Sequence, residues 1–267
     1  MQRVAIAQMA STANLLANLT QLQLLFADAA KQQANLLVLP ENFAFMGINE
    51  QDKLSIAEVA GEGVIQSTLG ALAAKYKLWV IAGTMPLKAP NGKVFASSLV
   101  FNAEGLQVAR YDKIHLFDVQ VSDTEIHAES KTIASGKNAI LVDTPIGRIG
   151  LSVCYDVRFP ELYRCLLDKG AELFTVASAF TATTGAAHWH TLLKARAIEN
   201  MCYVLASNQV GLHENARETY GHSLIINPWG DIIAEIDSGT GVICADIDLD
   251  ELHQRRAAFP CVEHRIL

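Results

Sequence analysis

The sequence predicts an α/β protein in which two β-sheets pack face to face between outer layers of helices. Strand and helix patterns alternate in both halves of the chain, and hairpins stand between them. Such alternation implies parallel strands joined by crossover helices. Stacking two such sheets with their helices outside buries every apolar face and gives a four-layer α-β-β-α sandwich. Because no linker rich in Gly, Ser or Pro is found, we expect residues 1–267 to form a single domain.

The first half of the chain predicts a β-α-β-α-β unit followed by a hairpin. Short apolar runs indicate buried strands, and apolar residues at helical spacing indicate helices. In chain order these are strand 4–9, helix 14–33, strand 36–39, helix 64–77, strand 78–83 and the paired strands 95–101 and 106–111. The polar segment 113–135 comes next, and irregular segments of this length are usually functional or disordered.

The second half of the chain adds further strand-helix units and an antiparallel end. In chain order these are strands 139–142 and 149–153, helix 159–169, strand 171–177, helix 186–200, strand 202–207, strands 220–226, 231–236 and 242–247, and helix 248–258. Turn sequences separate the last three strands and indicate hairpins. Asp248 stands where a helix N-cap is expected, with Glu251 three residues later, close to the capping-box pattern.

Composition indicates a soluble globular protein and excludes several classes of partner. Hydrophobic residues make up 51% of the chain, the net charge is −7, and no cluster of Lys and Arg stands out. We therefore expect neither nucleic acid nor a membrane as a partner. The longest apolar runs have strand length and residues 1–8 lack signal-peptide features, so we expect a cytoplasmic location.

The five cysteines predict neither a disulfide framework nor a zinc site. Their count is odd, their spacing is wide and irregular, and no pair is separated by two residues. This usage indicates a reducing compartment. Cys165, Cys202 and Cys244 lie on apolar faces of the predicted elements, which indicates core positions.

Cys154 follows the apolar run 149–153 directly and precedes a helical pattern. A side chain at such a strand end lies at the sheet edge where α/β proteins bind their ligands. The start of the next helix offers free N–H groups and a positive dipole end, which would favour a nucleophilic thiolate. We interpret Cys154 as a candidate covalent catalyst. The alternative is a small buried apolar residue, the usual state of a free cysteine.

Two charged residues follow apolar strands in the same way. Glu41 comes after the strand that ends at Leu39, and Lys113 comes after the strand that ends at Tyr111. A nucleophile needs a base to take its proton and a cation or donor to hold the oxyanion, and these two residues could supply both roles. Taken singly, Glu41 is explained as well by a solvated loop position, and Lys113 by a surface ion pair.

Three motifs resemble the signatures of the nitrilase superfamily, the carbon–nitrogen hydrolases. They are 39–43 (LPENF), 111–117 (YDKIHLF) and 154–161 (CYDVRFPE), in the family's order and over essentially the whole chain. The resemblance implies the α-β-β-α sandwich and a Glu-Lys-Cys triad, which by position is Glu41, Lys113 and Cys154. It also implies a second active-site glutamate, matched by Glu129 with nearby Glu125 as the alternative, and an assembly of at least a homodimer.

Further segments resemble the branch of this superfamily that contains deaminated glutathione amidase and omega-amidase. They are 178–181 (SAFT), 184–189 (TGAAHW), 195–200 (ARAIEN), 220–223 (YGHS) and 227–230 (NPWG). The branch implies an amidase acting on an amide of a small acid that bears a 2-oxo group. Deaminated glutathione is the expected substrate, and 2-oxoglutaramate is the alternative. True nitrilases and N-carbamoyl amino acid hydrolases usually differ after the cysteine.

The resemblance implies a thioester mechanism that needs no metal and no cofactor. Glu41 would take the proton of Cys154. The oxyanion would lie between the Lys113 ammonium and the backbone N–H of Tyr155. These roles require a charged lysine and a glutamate whose pKa is raised by a dry pocket. Glu129 would orient the substrate or the lysine.

Residues beyond the triad are expected to bind the substrate. The polar loop 211–218 carries Arg217 and His213, which could reach a distal carboxylate of a long anionic substrate. The segment 178–187 contains Phe180 and is rich in small residues, so it would line a roomy wall of the pocket.

Some residues keep two interpretations. Arg158 could grip a substrate carboxylate or pair with Asp156, and we favour the structural pairing. Trp229 lies in a Pro-Trp-Gly turn, where packing or a subunit contact explains it better than substrate stacking.

Rival functional interpretations explain less of the sequence. His115 with Cys154 could form a papain-like pair, but that pair leaves the strand-end glutamate and lysine unexplained. His188 and His190 could bind a metal, but residues two apart on a helix do not face each other. The alternative from another class is a catalytically silent binding protein on the same fold, which activity toward any amide would exclude.

Overall fold

Two six-stranded β-sheets form the centre of the structure, a computed structural model that describes residues 2–121 and 126–266. The elements of the first half are β1 (Gln2–Gln8), α1 (Leu15–Lys31), β2 (Leu36–Val38), α2 (Val64–Tyr76), β3 (Trp79–Lys88), β4 (Val94–Phe101), β5 (Gln107–Asp112), β6 (Asp118–Gln120) and β7 (Ile126–Ala128). Those of the second half are β8 (Leu141–Thr144), β9 (Gly147–Val153), α3 (Pro160–Asp168), β10 (Leu173–Ser178), α4 (Ala182–Asn200), β11 (Tyr203–Asn208), β12 (Val210–Leu212), β13 (Glu218–Tyr220), β14 (Ser223–Ile226), β15 (Ile232–Ile236), β16 (Gly241–Ile247) and α5 (Leu249–Ala258). None of the helices in the described residues combines the length and the apolar character that crossing a membrane requires.

Each sheet has a parallel centre and antiparallel edges. The first sheet has the order β16-β1-β2-β3-β4-β5, with β1, β2 and β3 parallel to one another. The second has the order β15-β14-β11-β10-β9-β8, with β9, β10 and β11 parallel. Helices α1 to α4 connect successive parallel strands, as the alternation of patterns predicted.

The two sheets share one apolar core, and helices cover their outer faces. In β1, Val4 and Ile6 face the core between the sheets, while Ala5 and Ala7 face the cluster under α1 and α2. This alternation follows from the two-residue repeat of a strand, which buries both faces of β1. Trp189 of α4 packs on the second sheet. The layers therefore follow the predicted α-β-β-α order.

Side-chain caps determine where several helices begin. Asn14 caps α1 and Asp248 caps α5, each by accepting a hydrogen bond from a first-turn N–H. Helix α4 begins at Ala182 rather than at the predicted residue 186. The reason is Thr181, whose side chain accepts a hydrogen bond from the Thr184 N–H at 3.3 Å and so starts the helix one turn earlier.

The segment 211–226 differs from its prediction. It forms the hairpin β12–β13 and then β14, rather than a loop followed by one strand. Gly221 and His222 separate β13 from β14 because both adopt left-handed backbone conformations, with φ of 69° and 54°. This break carries the chain from the small hairpin into the second sheet.

The long polar segment 113–135 folds into a small strand pair and a 3₁₀ turn. Strands β6 and β7 pair with each other, and the turn Glu129–Lys131 follows them. The Ser130 N–H donates to Asp118 Oδ1 at 2.9 Å, which fixes this turn on the start of β6. Glu125, the alternative to Glu129, lies outside the described residues.

Candidate active site

Three strand ends bring Glu41, Lys113 and Cys154 together. Glu41 follows β2 and Lys113 follows β5 in the first sheet, whereas Cys154 follows β9 in the second. All three line one cavity, and all three are at least 95% buried. The face-to-face packing of the sheets therefore assembles a site from groups that are far apart along the chain.

Lys113 is held between two carboxylates. Its Nζ donates to Glu41 Oε1 at 2.8 Å and to Glu129 Oε1 at 2.9 Å. Glu129 Oε2 in turn accepts from the Phe117 N–H at 2.7 Å. The structure thus places Glu129 on the lysine, at the position that the family resemblance implied. Two carboxylates around one ammonium fix its position and keep it charged.

Glu41 is oriented by the second sheet. Its Oε2 accepts from the Ala179 N–H at 2.9 Å, and its backbone carbonyl accepts from Gln209 Nε2 at 2.9 Å. One carboxylate oxygen therefore binds Lys113 and the other binds the backbone after β10. Gly83 permits this arrangement, because a Cβ at residue 83 would lie 1.8 Å from the Pro40 carbonyl oxygen.

Cys154 sits in a strained turn that Asp156 stabilises. Cys154 has a left-handed φ of 48°, unusual for a residue with a Cβ. The fully buried Asp156 accepts from the Val153 N–H at 2.9 Å and from the Tyr111 hydroxyl at 2.6 Å. His115 Nδ1 lies 2.6 Å from Asp156 Oδ1. Asp156 thus joins the turn that carries the cysteine to the strand end that carries the lysine.

The charges around the site set its protonation states. Burial, and then the Glu41 carboxylate, raise the pKa of the Cys154 thiol to about 12, against smaller opposing effects of Lys113 and Arg217. Burial alone would raise the pKa of Glu41, but the Lys113 ammonium brings it below its usual value. Burial also opposes the charge of Lys113, yet the Glu129 and Glu41 carboxylates raise its pKa well above the usual range.

The pKa shifts of Cys154 and Glu41 correct two expectations drawn from the sequence. Cys154 is a thiol in the free protein rather than a thiolate, because burial and the Glu41 charge outweigh the favourable end of the short turn that follows. Glu41 is ionised with a lowered pKa rather than a raised one, because a buried ammonium lies 2.8 Å away. An ionised Glu41 carboxylate therefore faces a protonated Cys154 thiol.

The cavity beside the cysteine has a volume of about 200 Å³. Its wall beyond the four residues named above includes Asn42, Phe45, Met46, Lys53, Phe117, His127, Asn215 and Arg217. Lys53 and Asn215 were not predicted as site residues. Both come from connecting segments without a strand-end or motif signal, so only the fold brings them to the cavity.

Arg217 reaches the site from the hairpin β12–β13. Its Nη2 donates to the Ala179 carbonyl, and its Nε is buried without a hydrogen-bond partner among the described residues. Its charge lowers the pKa of both Glu41 and Cys154. The structure therefore places the predicted substrate-binding arginine close to the reacting groups rather than at the far end of a long pocket.

The other predicted substrate-binding residues line a small second cleft, which also includes Cys154 and Arg217. Tyr155, Arg158 and Phe180 belong to it. The guanidinium of Arg158 lies 5.2 Å from the centre of the Phe180 ring, and its Nη1 lies 3.3 Å from His188 Nδ1. The favoured pairing of Arg158 with Asp156 is wrong, because the buried Asp156 already binds Tyr111, His115 and Val153.

His213 and His115 make structural contacts rather than the functional contacts considered for them from the sequence. The His213 nitrogens lie 3.0 Å from the Ser11 carbonyl and 2.8 Å from Thr219 Oγ1, so this ring is buried in the fold and does not reach a substrate. His115 contacts Asp156 and stacks on Phe159, and it is not among the described residues that line the cavity at Cys154, so the structure gives the papain-like pairing no support.

The remaining predictions about single side chains are confirmed in some cases and wrong in others. His188 and His190 face different partners, as their spacing predicted. All five cysteines are free; Cys202 is buried as expected, Cys244 is half-buried, and Cys165 is exposed rather than in the core. Trp229 is half-exposed and contacts Phe259, with 5.8 Å between ring centres.

Comparison with known proteins identifies the family. The chain matches the sequence profile of the carbon-nitrogen hydrolase family over residues 3–257. It is 42% identical over 266 residues to a protein from Synechocystis named deaminated glutathione amidase, covering 98% of this chain and 97% of that protein.

Solved structures agree with this assignment. The NitFhit protein of Caenorhabditis elegans has a TM-score of 0.93 and 37% identity, over 99% of this chain and 65% of that longer chain. Saccharomyces cerevisiae Nit3, described as a member of branch 10 of the nitrilase superfamily, has a TM-score of 0.89 and 32% identity, over 100% of this chain and 97% of that chain. The fold and the family predicted from the motifs are confirmed: the chain belongs to the carbon-nitrogen hydrolase family and is an amidase.

Proposed function

We propose that this amidase hydrolyses deaminated glutathione through a thioester on Cys154. The observation that carries the proposal is the buried chain Glu41–Lys113–Glu129, which lies beside Cys154 in a cavity that also holds cationic side chains. Such a chain supplies a base and an oxyanion-binding cation, and the cations suit an anionic substrate. The Synechocystis relative named for this substrate aligns over nearly its whole length, which supports the same choice.

In the first step, the Glu41 carboxylate accepts the Cys154 proton while the sulfur attacks the amide carbonyl carbon. The carbonyl oxygen becomes an oxyanion. It is bound by the Lys113 ammonium and by the N–H of Tyr155, the residue that follows the nucleophile. Because the pKa of Glu41 is lowered and that of Cys154 is raised, proton transfer accompanies the attack rather than preceding it.

In the second step, the C–N bond breaks and Glu41 donates its proton to the leaving amine. The acyl group stays on Cys154 as a thioester. Glu41 then accepts a proton from water, whose oxygen attacks the thioester, and the acid leaves as the thiol regains its proton. Glu129 positions Lys113 throughout. None of these steps calls on a metal or a cofactor.

Two substrates of the same chemical kind compete for this site. Deaminated glutathione is long and carries several polar groups, whereas 2-oxoglutaramate is short. Arg217 and Lys53 both line the cavity, and two cations there favour the longer anionic molecule.

The test is a side-by-side measurement of kcat/KM for both substrates, with a simple nitrile and an N-carbamoyl amino acid as controls. We expect the highest value for deaminated glutathione. A preference of about tenfold or more for 2-oxoglutaramate would show that this shorter amide is the substrate instead. Enzymes commonly discriminate between related substrates by such a factor. Turnover confined to either control would contradict the proposed reaction class.

Arg217→Ala gives a second check on the same proposal. Removing the guanidinium should raise KM for the tripeptide analogue more than for the short amide, because the longer substrate offers more negative groups to bind. Lys53→Ala is the matched comparison, since Lys53 lines the same cavity and pairs with Glu50, which also lines it. Equal effects of Arg217→Ala on both substrates would remove it from substrate recognition.

We further propose that the protein acts in the cytoplasm as a homodimer or a higher homo-oligomer. Five free thiols support a reducing compartment. Self-association is supported by the large apolar side chains of Ile198, Trp229 and Phe259, which are each about half exposed. Light scattering during gel filtration should give at least twice the monomer mass, and Trp229→Glu should lower it. A wild-type monomer at micromolar concentration would contradict this proposal.

A further inference from the structure

A second cluster of side chains that can hold a ligand lies outside the cavity at Cys154. His190 of α4, His222 between β13 and β14, and Glu235 of β15 converge there. Glu235 Oε1 lies 2.8 Å from His190 Nε2 and 2.8 Å from His222 Nδ1. One nitrogen from each ring and one carboxylate oxygen lie within 4.8 Å of one another. None of these residues takes part in the amidase reaction described above.

The fold holds His222 in this cluster at a local energetic cost. Its backbone is left-handed, with φ of 54°, a conformation that is strained for a residue with a Cβ. Trp189 Nε1 donates to the His222 carbonyl at 2.8 Å, and the Tyr220 ring stacks on the His222 ring with 4.3 Å between centres. The backbone hydrogen bond and the ring stacking together hold the His222 ring where it faces Glu235.

We propose that His190, His222 and Glu235 form a binding site for a divalent transition-metal ion, with Zn²⁺ as the fitting ion. Zinc sites with an open position use three protein ligands of this kind, two imidazole nitrogens and a carboxylate oxygen. Water would occupy the fourth position. Because the three ligands come from three separate elements, the ion would join α4 to the strand pair β14–β15.

The geometry needs only small side-chain adjustments. Ligand atoms about 2.1 Å from a tetrahedral zinc ion are about 3.4 Å apart. The carboxylate oxygen, at 2.8 Å, must therefore withdraw from both nitrogens, and the two nitrogens, which lie within 4.8 Å of each other, must approach. All three side chains are about 30% exposed and have room to do so.

The site has a stabilising role in this proposal rather than a catalytic one. Trp189, which bonds to the His222 backbone, packs 5.0 Å from the Phe180 ring beside Cys154. An ion at the cluster would therefore support one wall of the active site without touching the reacting atoms. Amidase activity should persist when a chelator removes the ion.

The experiment is a calorimetric titration of the metal-free, full-length protein with Zn²⁺, repeated for four variants. Wild type should bind one ion per chain. H190A, H222A and E235Q should each weaken binding by at least about tenfold, the smallest effect usual even for residues that only support a ligand. H188A is the matched control: His188 lies on the same helix two residues away, contacts Arg158 instead, and should leave the affinity unchanged.

Thermal unfolding supplies an independent readout. Free Zn²⁺ at about one hundred times its wild-type Kd should raise the Tm of wild type and H188A by about 5 °C or more. The rise should be absent in the three ligand variants. The absorption spectrum of the Co²⁺-loaded protein should lack thiolate charge-transfer bands, because no cysteine is a ligand.

Two results would overturn the proposal. Equal zinc affinity in all variants, together with thiolate bands, would place the ion on cysteines. A wild type that shows no saturable binding would leave the three residues as a hydrogen-bonded cluster only. H190A and E235Q keep the test valid if H222A fails to fold, since neither alters the strained backbone.

Discussion

Cys154 and Glu41, the proposed nucleophile and base, are held in opposite protonation states. The thiol has a pKa of about 12, while the pKa of Glu41 is below its usual 4.5. The free enzyme therefore keeps an unreactive thiol and a ready carboxylate. In the proposed mechanism, the cost of deprotonating the thiol is offset only when the sulfur bonds to the carbonyl carbon and the Lys113 ammonium binds the new oxyanion.

This arrangement predicts a broad pH optimum. A carboxyl with a depressed pKa remains a base at every pH above that pKa, so kcat/KM should fall only as the pH drops below the usual glutamate value of 4.5. On the alkaline side Lys113 stays charged, since its pKa lies well above 10.5. The measurement is a pH profile of kcat/KM with an uncharged amide. An acid limb near about pH 6, or a rise in activity near about pH 8, would contradict the assigned states.

Lys113→Met should cost both activity and stability. Without the cation, kcat should fall by roughly 10²- to 10³-fold, because an oxyanion donor is lost. The carboxylates of Glu41 and Glu129 are then left together without their buried partner, which should lower the free energy of unfolding by about 3 kcal/mol or more at neutral pH. Denaturant unfolding with an activity assay measures both effects.

The pH dependence of that instability is a further part of the same prediction. With the ammonium gone, burial is left to raise the pKa of Glu41, so the variant should regain stability as the pH falls and Glu41 takes up a proton. Lys53→Met is the control, because its ion pair with Glu50 is partly exposed and should be worth about 1 kcal/mol or less. An equally small loss of stability in Lys113→Met would mean that the buried contact of Lys113 contributes no more than an exposed ion pair.

At the scale of elements, Asp156 connects the end of β5 to the turn after β9. Asp156→Asn keeps the size of the side chain but replaces one acceptor oxygen with a donor that faces N–H and O–H groups. We expect a loss of about 3 kcal/mol in the free energy of unfolding, and a larger effect on kcat than on KM because the nucleophile is misplaced.

Tyr111→Phe tests the same connection more gently. It removes one hydrogen bond to Asp156 without changing the packed ring, and should cost about 1 kcal/mol. If Asp156→Asn were no more damaging than Tyr111→Phe, the connection would not position the cysteine.

The elements show what a single sequence can and cannot predict. Strands such as β2 and β9 are predictable because an apolar run ends abruptly at a proline or a charged segment, and Asn14 and Asp248 mark helix starts. The start of α4 and the break at His222 are harder to predict. Nothing in the sequence distinguishes Thr181 as the N-cap of α4, and only its hydrogen bond from the Thr184 N–H shows that role. Residue 222 is a histidine rather than a glycine, so nothing in the sequence indicates its left-handed backbone conformation.

The candidate site shows the same division. Glu41, Lys113 and Cys154 could be predicted because each ends an apolar strand within a motif. The protonation states of these groups could not, since they depend on a 2.8 Å contact between residues 72 positions apart. His213 and Arg217 share one polar segment, yet one is buried against Ser11 and the other reaches the cavity. Only packing separates these outcomes.

At the scale of the whole molecule, the site exists because the two sheets pack on each other. Glu41 and Lys113 follow strands of the first sheet and Cys154 follows a strand of the second, while the Ala179 N–H after β10 donates to Glu41. Amino acids on inner faces, such as Val4 and Leu205, therefore determine the geometry of the candidate site without lining its cavity. That the chain is a single folding domain remains a prediction, which this shared core supports.

The most direct test of the account is the mass of the intact protein quenched with acid during turnover. We expect a covalent adduct equal in mass to the acyl part of the substrate, located by peptide mapping on Cys154 and absent in Cys154→Ala. That variant should retain less than about 10⁻⁴ of the wild-type kcat. Steady turnover by wild type without any adduct, joined to substantial activity in Cys154→Ala, would contradict the central claim that this sulfur carries the acyl group.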